Sequence, residues 1–395
     1  MELKDYIARM KMLYSALLKY IDSDDDSPES FQEFAAFLKG SEFGGNADEL
    51  RAILNLISKV SKHHRGGQNQ TAKLKKVIGY FLPGIKQTLS NLELFRIFRG
   101  SRLLLLFLLG EGAVRVDEEV AHLVSQKVGM HGLNFFYPEV KRFLTKNGKY
   151  GPIIASKTTF KKDETFERKR REGENDSLIC CLIREDSLEE FARKFCEEKR
   201  SPSDEVPPSL FETHPMLIKN KATLIEYSAF FGSQRVLGYL LEHESDDGGA
   251  ADDCGESLWL YAVRSGSAEV IRLLEEHGIA PGDGVYAECL AESVKCHHNG
   301  IARYIASKME AAGEDVEAGM SENSFSSYNF EFFPQDFADY ESAFERACQH
   351  DHVAIVKILL DAGKMDLREV LVRKSISSEN FSQNSDKLFL TRKLN

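Results

Sequence analysis

Apolar residues recur at spacings of three and four along most of this 395-residue chain. Leu3, Ile7, Met10, Leu13, Leu17 and Ile21 form one such stripe. It predicts an amphipathic helix, ended by the polar run Asp22-Ser-Asp-Asp-Asp-Ser-Pro28. The same period predicts helices at Glu29–Leu38, Asp48–Ser61, Ala72–Phe81, Leu92–Phe98, Leu103–Leu109 and Glu118–Val128. The breakers Gly44-Gly45, Gly66-Gly67 and Pro83-Gly84 lie between them. No strand alternation is sustained, so residues 1–146 read as an all-helical module. Residues 147–176 are polar, charged and poorly periodic, as a linker or exposed turn region would be, and 374–395 read as a polar tail.

From residue 177 to 373 the chain repeats itself. The clearest copy runs from Ser257 to Gly278, with others beginning at Leu178, Thr223, Cys289 and Ala343. Each has a short apolar segment with a small residue at its centre, a turn, and a second segment with paired aliphatics. The small residues Ser228, Ala262, Ser293 and Ala347 give successive spacings of 34, 31 and 54. The first two spacings bracket the ankyrin period of roughly 33. The third is a repeat with an insertion near 308–340, rich in Glu, Ser, Asn and Phe, which reads as a long surface loop. The expected fold is therefore all-α: a helical module followed by a degenerate ankyrin-repeat α-solenoid of about five units. The Thr-Pro-Leu-His tetrapeptide of standard ankyrin repeats is missing from every copy. Tetratricopeptide repeats share the period but not the order of small residue, turn and double aliphatic.

Residues 172–363 also resemble a family of ankyrin-repeat proteins from trichomonad protists. The resemblance is carried by Glu174-Asn-Asp-Ser-Leu-Ile-Cys180, Leu182-Ile-Arg-Glu-Asp-Ser187, the run Thr223–Ser233, Ser257-Leu-Trp-Leu-Tyr-Ala262 and the run Glu288–Asn299. It implies a repeat scaffold with no catalytic residues. The glycine-rich stretch Asp246–Asp253 departs from the family's tighter spacing.

Charge divides the chain. Residues 1–171 hold 29 Lys/Arg against 20 Asp/Glu, and the remainder 22 against 42, so a module of +9 precedes repeats of −20. Residues 51–100 contain ten basic residues and a single acid, Glu93. Opposite net charges suggest that the two halves attract each other, or that they serve different partners. Seven scattered Cys without a repeated CxxC suggest reduced thiols, and the N-terminus has no secretory pattern. The chain is therefore expected inside the cell, in the cytoplasm, with the nucleus as the alternative. Its longest apolar run, Leu103–Leu109, is far shorter than the roughly 20 residues that a membrane helix needs.

Candidate chemistry is sparse. Cys289, Cys296, His297 and His298 include metal-ligand types, but no second cluster completes a tetrahedral set, so core thiols and helix-end histidines are the favoured reading. His63-His64 reads as a helix end, where a cationic imidazole suits the dipole. No GxSxG, HExxH or GxxxxGK[ST] string occurs, and neither cofactor, metal nor small-molecule substrate is expected. Arg168-Lys-Arg-Arg171 is either solvated linker or a nuclear-import or anion-binding run.

Binding is the expected function, through the residues just before each turn, which face the concave surface of an ankyrin stack. These are Arg184-Glu185, Phe230-Phe231, Arg264-Ser265, Lys295-Cys296 and Gln349-His350. The pair Phe230-Phe231 either anchors a protein partner or packs beneath the module or the insertion. The alternative function is nucleic-acid or anionic-membrane binding through 51–100 and 168–171.

Overall fold

A computed structural model describes residues 2–65, 69–127, 129–144, 164–246, 251–281, 285–334 and 339–365. Gly66-Gly67, the stretch 147–163, part of the Asp246–Asp253 insertion and the 374–395 tail lie outside the described residues. The described chain is all-helical, with one isolated antiparallel bridge between Glu205 and Thr223. None of these helices is long and apolar enough to cross a membrane.

The module comprises α1 (Leu3–Asp22), α2 (Pro28–Gly40), α3 (Ala47–His63), α4 (Gln70–Thr88), α5 (Asn91–Phe98), α6 (Arg102–Gly110), α7 (Glu118–Lys127), α8 (Gly129–Phe135) and α9 (Tyr137–Leu144). Local chemistry sets their starts. Ser27 caps α2 ahead of Pro28, Asn46 accepts from the amides of Asp48 and Glu49, and Ser90 forms a reciprocal capping box with Glu93. Pro83-Gly84 does not break α4 as expected. Phe81 and Ile85, four residues apart, are both buried on one face, and that packing outweighs the amide hydrogen bond lost at proline.

Helix α10 (Glu164–Glu172) corrects the linker reading of its segment, because Phe166 and Arg170 on it are buried. Paired helices follow: α11 (Leu178–Arg184) with α12 (Leu188–Glu197), and, after the short α13 (Pro215–Lys219), α14 (Leu224–Phe231) with α15 (Gln234–Asp246). Next come α16 (Ala251–Ser265) with α17 (Ala268–Glu276), and α18 (Val285–Lys295) with α19 (Asn299–Ala311). Helix α20 (Glu317–Ser327) and a 3-10 turn at Phe330–Phe332 precede the last pair, α21 (Tyr340–Gln349) with α22 (Val353–Asp361).

The five sequence copies coincide in backbone conformation. Asp186, Gly232, Gly266, His297 and Asp351 each occupy the left-handed region, at φ of 48°, 74°, 77°, 61° and 62°, and each sits between the two helices of its pair. The small residues Ser228, Ala262, Ser293 and Ala347 are fully buried, as is Trp259, whose Nε1 donates to the Ile279 carbonyl at 2.9 Å.

Two cores form, and they do not divide at residue 177. One runs from Ile179 to Val316. The other joins the module to Phe325, Tyr328, Phe330, Phe333, Phe344, Ile355 and Leu359. The insertion is therefore not a surface loop. Its aromatic rings stack on one another and on His352, with Phe325–Phe333 at 4.4 Å and Tyr328–His352 at 3.9 Å, and they pack against α1. Burying four aromatic rings is a large hydrophobic gain, and polar neighbours in sequence hid it.

Candidate functional site at the seam between module and repeats

Part of the row before the turns lies where the module meets the repeats: Phe230, Phe231 and Cys296 touch module residues. Phe230 is fully buried and Phe231 half-buried. The Arg65 guanidinium, just beyond α3, sits 3.9 Å from the centre of the Phe231 ring and 4.9 Å from that of Phe230. On the other side the His214 ring meets Phe230 edge-on at 4.6 Å. The structure thus favours the packed reading of this pair over the exposed anchor. Arg264 and Lys295 are brought together by Glu292, which pairs with Arg264 through one oxygen and with Lys295 through the other at 2.9 Å. Ser265 serves its own turn, donating to the Ala262 carbonyl at 2.6 Å and accepting from the Ser267 amide at 3.0 Å. Gln349 is exposed, and half-buried His350 lies 3.6 Å from Glu322. Arg184 is held by Glu174 at 2.7 Å and by the Tyr227 hydroxyl at 2.8 Å. Sequence reasoning missed Arg65, Glu292 and His214, because nothing in the local pattern brings residues 65, 214 and 230 together.

Histidines dominate the middle of the seam. The His64 ring nitrogens both face acceptors, the Cys296 carbonyl at 2.8 Å and the Asp22 carboxylate at 2.7 Å. The His64 ring lies 4.8 Å from that of His298 and 6.2 Å from that of His297. His297 meets the Tyr14 hydroxyl through Nδ1 at 3.2 Å, and Asn299 donates to the same hydroxyl at 3.0 Å. Burial holds His63, His214, His297 and His298 well below the ordinary histidine range, and neighbouring cations and imidazoles deepen the effect. His63 does end α3, but in the neutral form: desolvation and the adjacent Lys62 overcome the helix dipole that favours a cation.

His298 fills the space left by the glycine of the neighbouring turn. A Cβ on Gly266 would press into that ring, within 2.7 Å of Nδ1, while His298 Nε2 is tied to the Arg264 carbonyl at 3.1 Å. Gly266→Ala is expected to cost about 1–2 kcal/mol for its left-handed backbone and about 1–3 kcal/mol more for overpacking. Gly278→Ala shares the backbone conformation, but its Cβ would meet nothing within 4 Å, so it isolates the first cost. Urea midpoints of the two variants measure the difference, and equal midpoints would remove His298 from the account.

Beside the seam runs a groove of about 710 Å³. It is lined by Leu18 and Asp22 of α1, by Ala268, Ile271 and Arg272 of α17, and by His297 to Ile301 with Tyr304. Its size falls within the range of ligand pockets.

The other candidate chemistry is absorbed into structure. Burial pushes the thiols of Cys180, Cys289 and Cys296 up to about 11, 12 and 12, where the nucleophilic thiolate is scarce. Among the described residues no group of three or more His, Cys, Asp or Glu could hold a metal ion. Within 51–100, Lys73 is buried against the Tyr20 and Ser23 carbonyls that end α1, and Arg51 pairs with Asp48 and Glu93. In the basic run 168–171, Arg170 grips Glu139 with two bonds of 2.9 Å and donates to the Phe135 carbonyl. Compared with family models, curated proteins and solved structures, the chain matches none.

Proposed function

We propose that this chain is a non-catalytic protein–protein interaction scaffold built on degenerate ankyrin-type repeats. One observation carries the reading: the row before the turns already grips a polypeptide, the chain's own module, through Arg65 on Phe230-Phe231 and His64 on the Cys296 carbonyl. Extended surfaces on stacked helix pairs serve this purpose in repeat proteins. The left-handed turn common to all five copies and the spacings of 34 and 31 support the ankyrin arrangement, as does the resemblance to the trichomonad proteins. Raised thiols and the absence of nucleophile motifs from the sequence support the non-catalytic part.

Because the module covers the middle of that row, the partner docks beside it, in the groove between α1 and the starts of α17 and α19. Leu18, Ile271, Ile301 and the Tyr304 ring suit an apolar side chain of a partner segment. Ala268 is exposed on the first turn of α17, so Ala268→Arg blocks the groove without emptying the core. The expected result is an unchanged melting temperature and at least a tenfold drop in partners recovered by proximity labelling of the full chain. Undiminished recovery would move the site elsewhere.

A further inference from the structure

Opposite net charges lead one to expect basic module residues facing acidic repeat residues. At the middle of the seam the reverse holds. The repeats offer Arg264 and Lys295, and the bond of 2.8 Å from His64 to the Cys296 carbonyl draws the end of α3, which carries Lys62 in its last turn, to the chain beside Lys295; Arg99 is the C-cap of α5. Lys62 runs alongside Gly100, with its Cδ 3.3 Å from where a Cβ would sit, which brings Lys62 and Arg99 to one edge of the module. Both oxygens of Glu292 are already taken by Arg264 and Lys295. Among the described residues no carboxylate pairs with Lys62 or Arg99. Arg264 Nε is buried without a hydrogen-bond partner, although that side chain is about five-sixths covered, with 15% exposed.

The surroundings do not supply the missing charge. Burial first, then Arg264, Arg99 and Lys295, lower the pKa of Lys62. Lys59, one turn back on α3, is lowered by burial and by Lys62, with only Asp351 opposing. Flanking His63 and His214 are kept neutral. A cluster of cations from both sides of an interface, with its one carboxylate fully used, is short of an anion.

We propose that Lys62, Arg99, Arg264 and Lys295 form a binding site for a small, multiply charged anion of the phosphate class. Guanidinium forks and ammonium groups on several sides suit the oxygens of such a group. Arg99 is exposed and Lys295 about one-third exposed, so the cluster is open to solvent on that side. Arg264, with 15% of its side chain exposed, is too recessed for the backbone of a nucleic acid to follow. Because the ligand contacts both sides, it binds the closed seam and stabilises it by mass action.

Thermal unfolding of the full chain, titrated with pyrophosphate at constant ionic strength, tests the site. A saturable rise in melting temperature is expected, absent with sodium chloride and weaker with orthophosphate. Lys62→Met removes an uncompensated cation, so without anion this variant is expected to melt about 2–4 °C above the parent and to bind pyrophosphate at least tenfold more weakly. Arg99→Gln, at an exposed position, is expected to weaken binding severalfold with little change in baseline melting. Lys86→Gln, which loses only a surface bond to the Glu111 carbonyl, serves as the control and is expected to bind like the parent. A melting temperature that ignores pyrophosphate, or equal pyrophosphate affinity in the parent, Lys62→Met and Arg99→Gln, would overturn the proposal.

Discussion

Acidification from pH 7.5 to 5.5 is expected to remove up to roughly 7 kcal/mol from the folded state, beginning at the seam. Five histidines carry the effect. His63, His214, His297 and His298 are held well below their ordinary range by burial, and burial lowers His352 to about 3. In the unfolded chain each returns to about 6.5. Below that pH the unfolded state binds protons that the folded state refuses, so stability is complete above about pH 6.5 and falls as the pH drops. One unit below, each group contributes a loss of about 1.4 kcal/mol, and five such losses approach the whole stability of a typical domain.

Neighbouring cations and imidazoles deepen the effect, and backbone carbonyls oppose it at two of the five, Arg264 at His298 and Phe325 at His352. His63 faces Lys62, His214, Arg264 and Lys59, while His214 faces Arg264, Arg65 and Lys62. His297 faces His64, His298 and Lys59, and His298 faces His64 and Arg65, with the Arg264 carbonyl alone working in its favour. Glu212 acts in the opposite direction, since burial raises its carboxyl and makes the folded state take up a proton more readily as pH falls. One carboxylate offsets only part of five imidazoles. Urea unfolding at pH 7.5, 6.5 and 5.5 measures the slope, and His298→Gln is expected to flatten it by about one-fifth. Identical stability at pH 7.5 and 5.5 would refute the account.

Phe230→Ala is the second large effect, with an expected cost of about 3–5 kcal/mol for emptying an aromatic core position. The ring has no exposure and lies among His214 at 4.6 Å, Phe231 at 5.1 Å, Tyr261 at 6.3 Å and the Arg65 guanidinium at 4.9 Å. Phe231→Ala is expected to cost less, since that ring is half-buried and loses mainly its place under Arg65, an interaction of about 0.5–2 kcal/mol. Chemical denaturation of the pair reads the contrast directly, and equal midpoints would contradict the packing described. Partner loss in a Phe230→Ala chain would therefore report unfolding rather than a lost contact, which is why Ala268→Arg is the better probe of binding.

Much of the architecture is legible in the chain because it is local. A helix writes its buried face at spacings of three and four, and the observed α1, α3, α5 and α6 fall close to the stripes that predict them. The turn positions 186, 232, 266, 297 and 351 align because each copy repeats the same order of small residue, turn and aliphatic pair. The run through Pro83 misleads, since the packing of Phe81 and Ile85 that sustains it comes from other helices. The insertion misleads for the same reason: Phe325, Tyr328, Phe330 and Phe333 are buried with α1, which lies at the opposite end of the sequence.

The candidate site is legible only in part. The row before the turns can be found from the repeats, yet whether it is open or covered depends on where the module comes to rest. By itself the sequence determined an all-helical chain, five repeated turns, and a basic half followed by an acidic half. Only the tertiary structure decided that Arg65 lies on Phe230-Phe231, that His64 joins His297 and His298, and that the end of α3 with Lys62 is drawn to the chain beside Lys295. The physical reason is one of range: helix periodicity and turn chemistry are set by near neighbours in the chain. The burial of a ring, the neutrality of a histidine and the excess of cations at a seam are set by groups from the other half of the molecule.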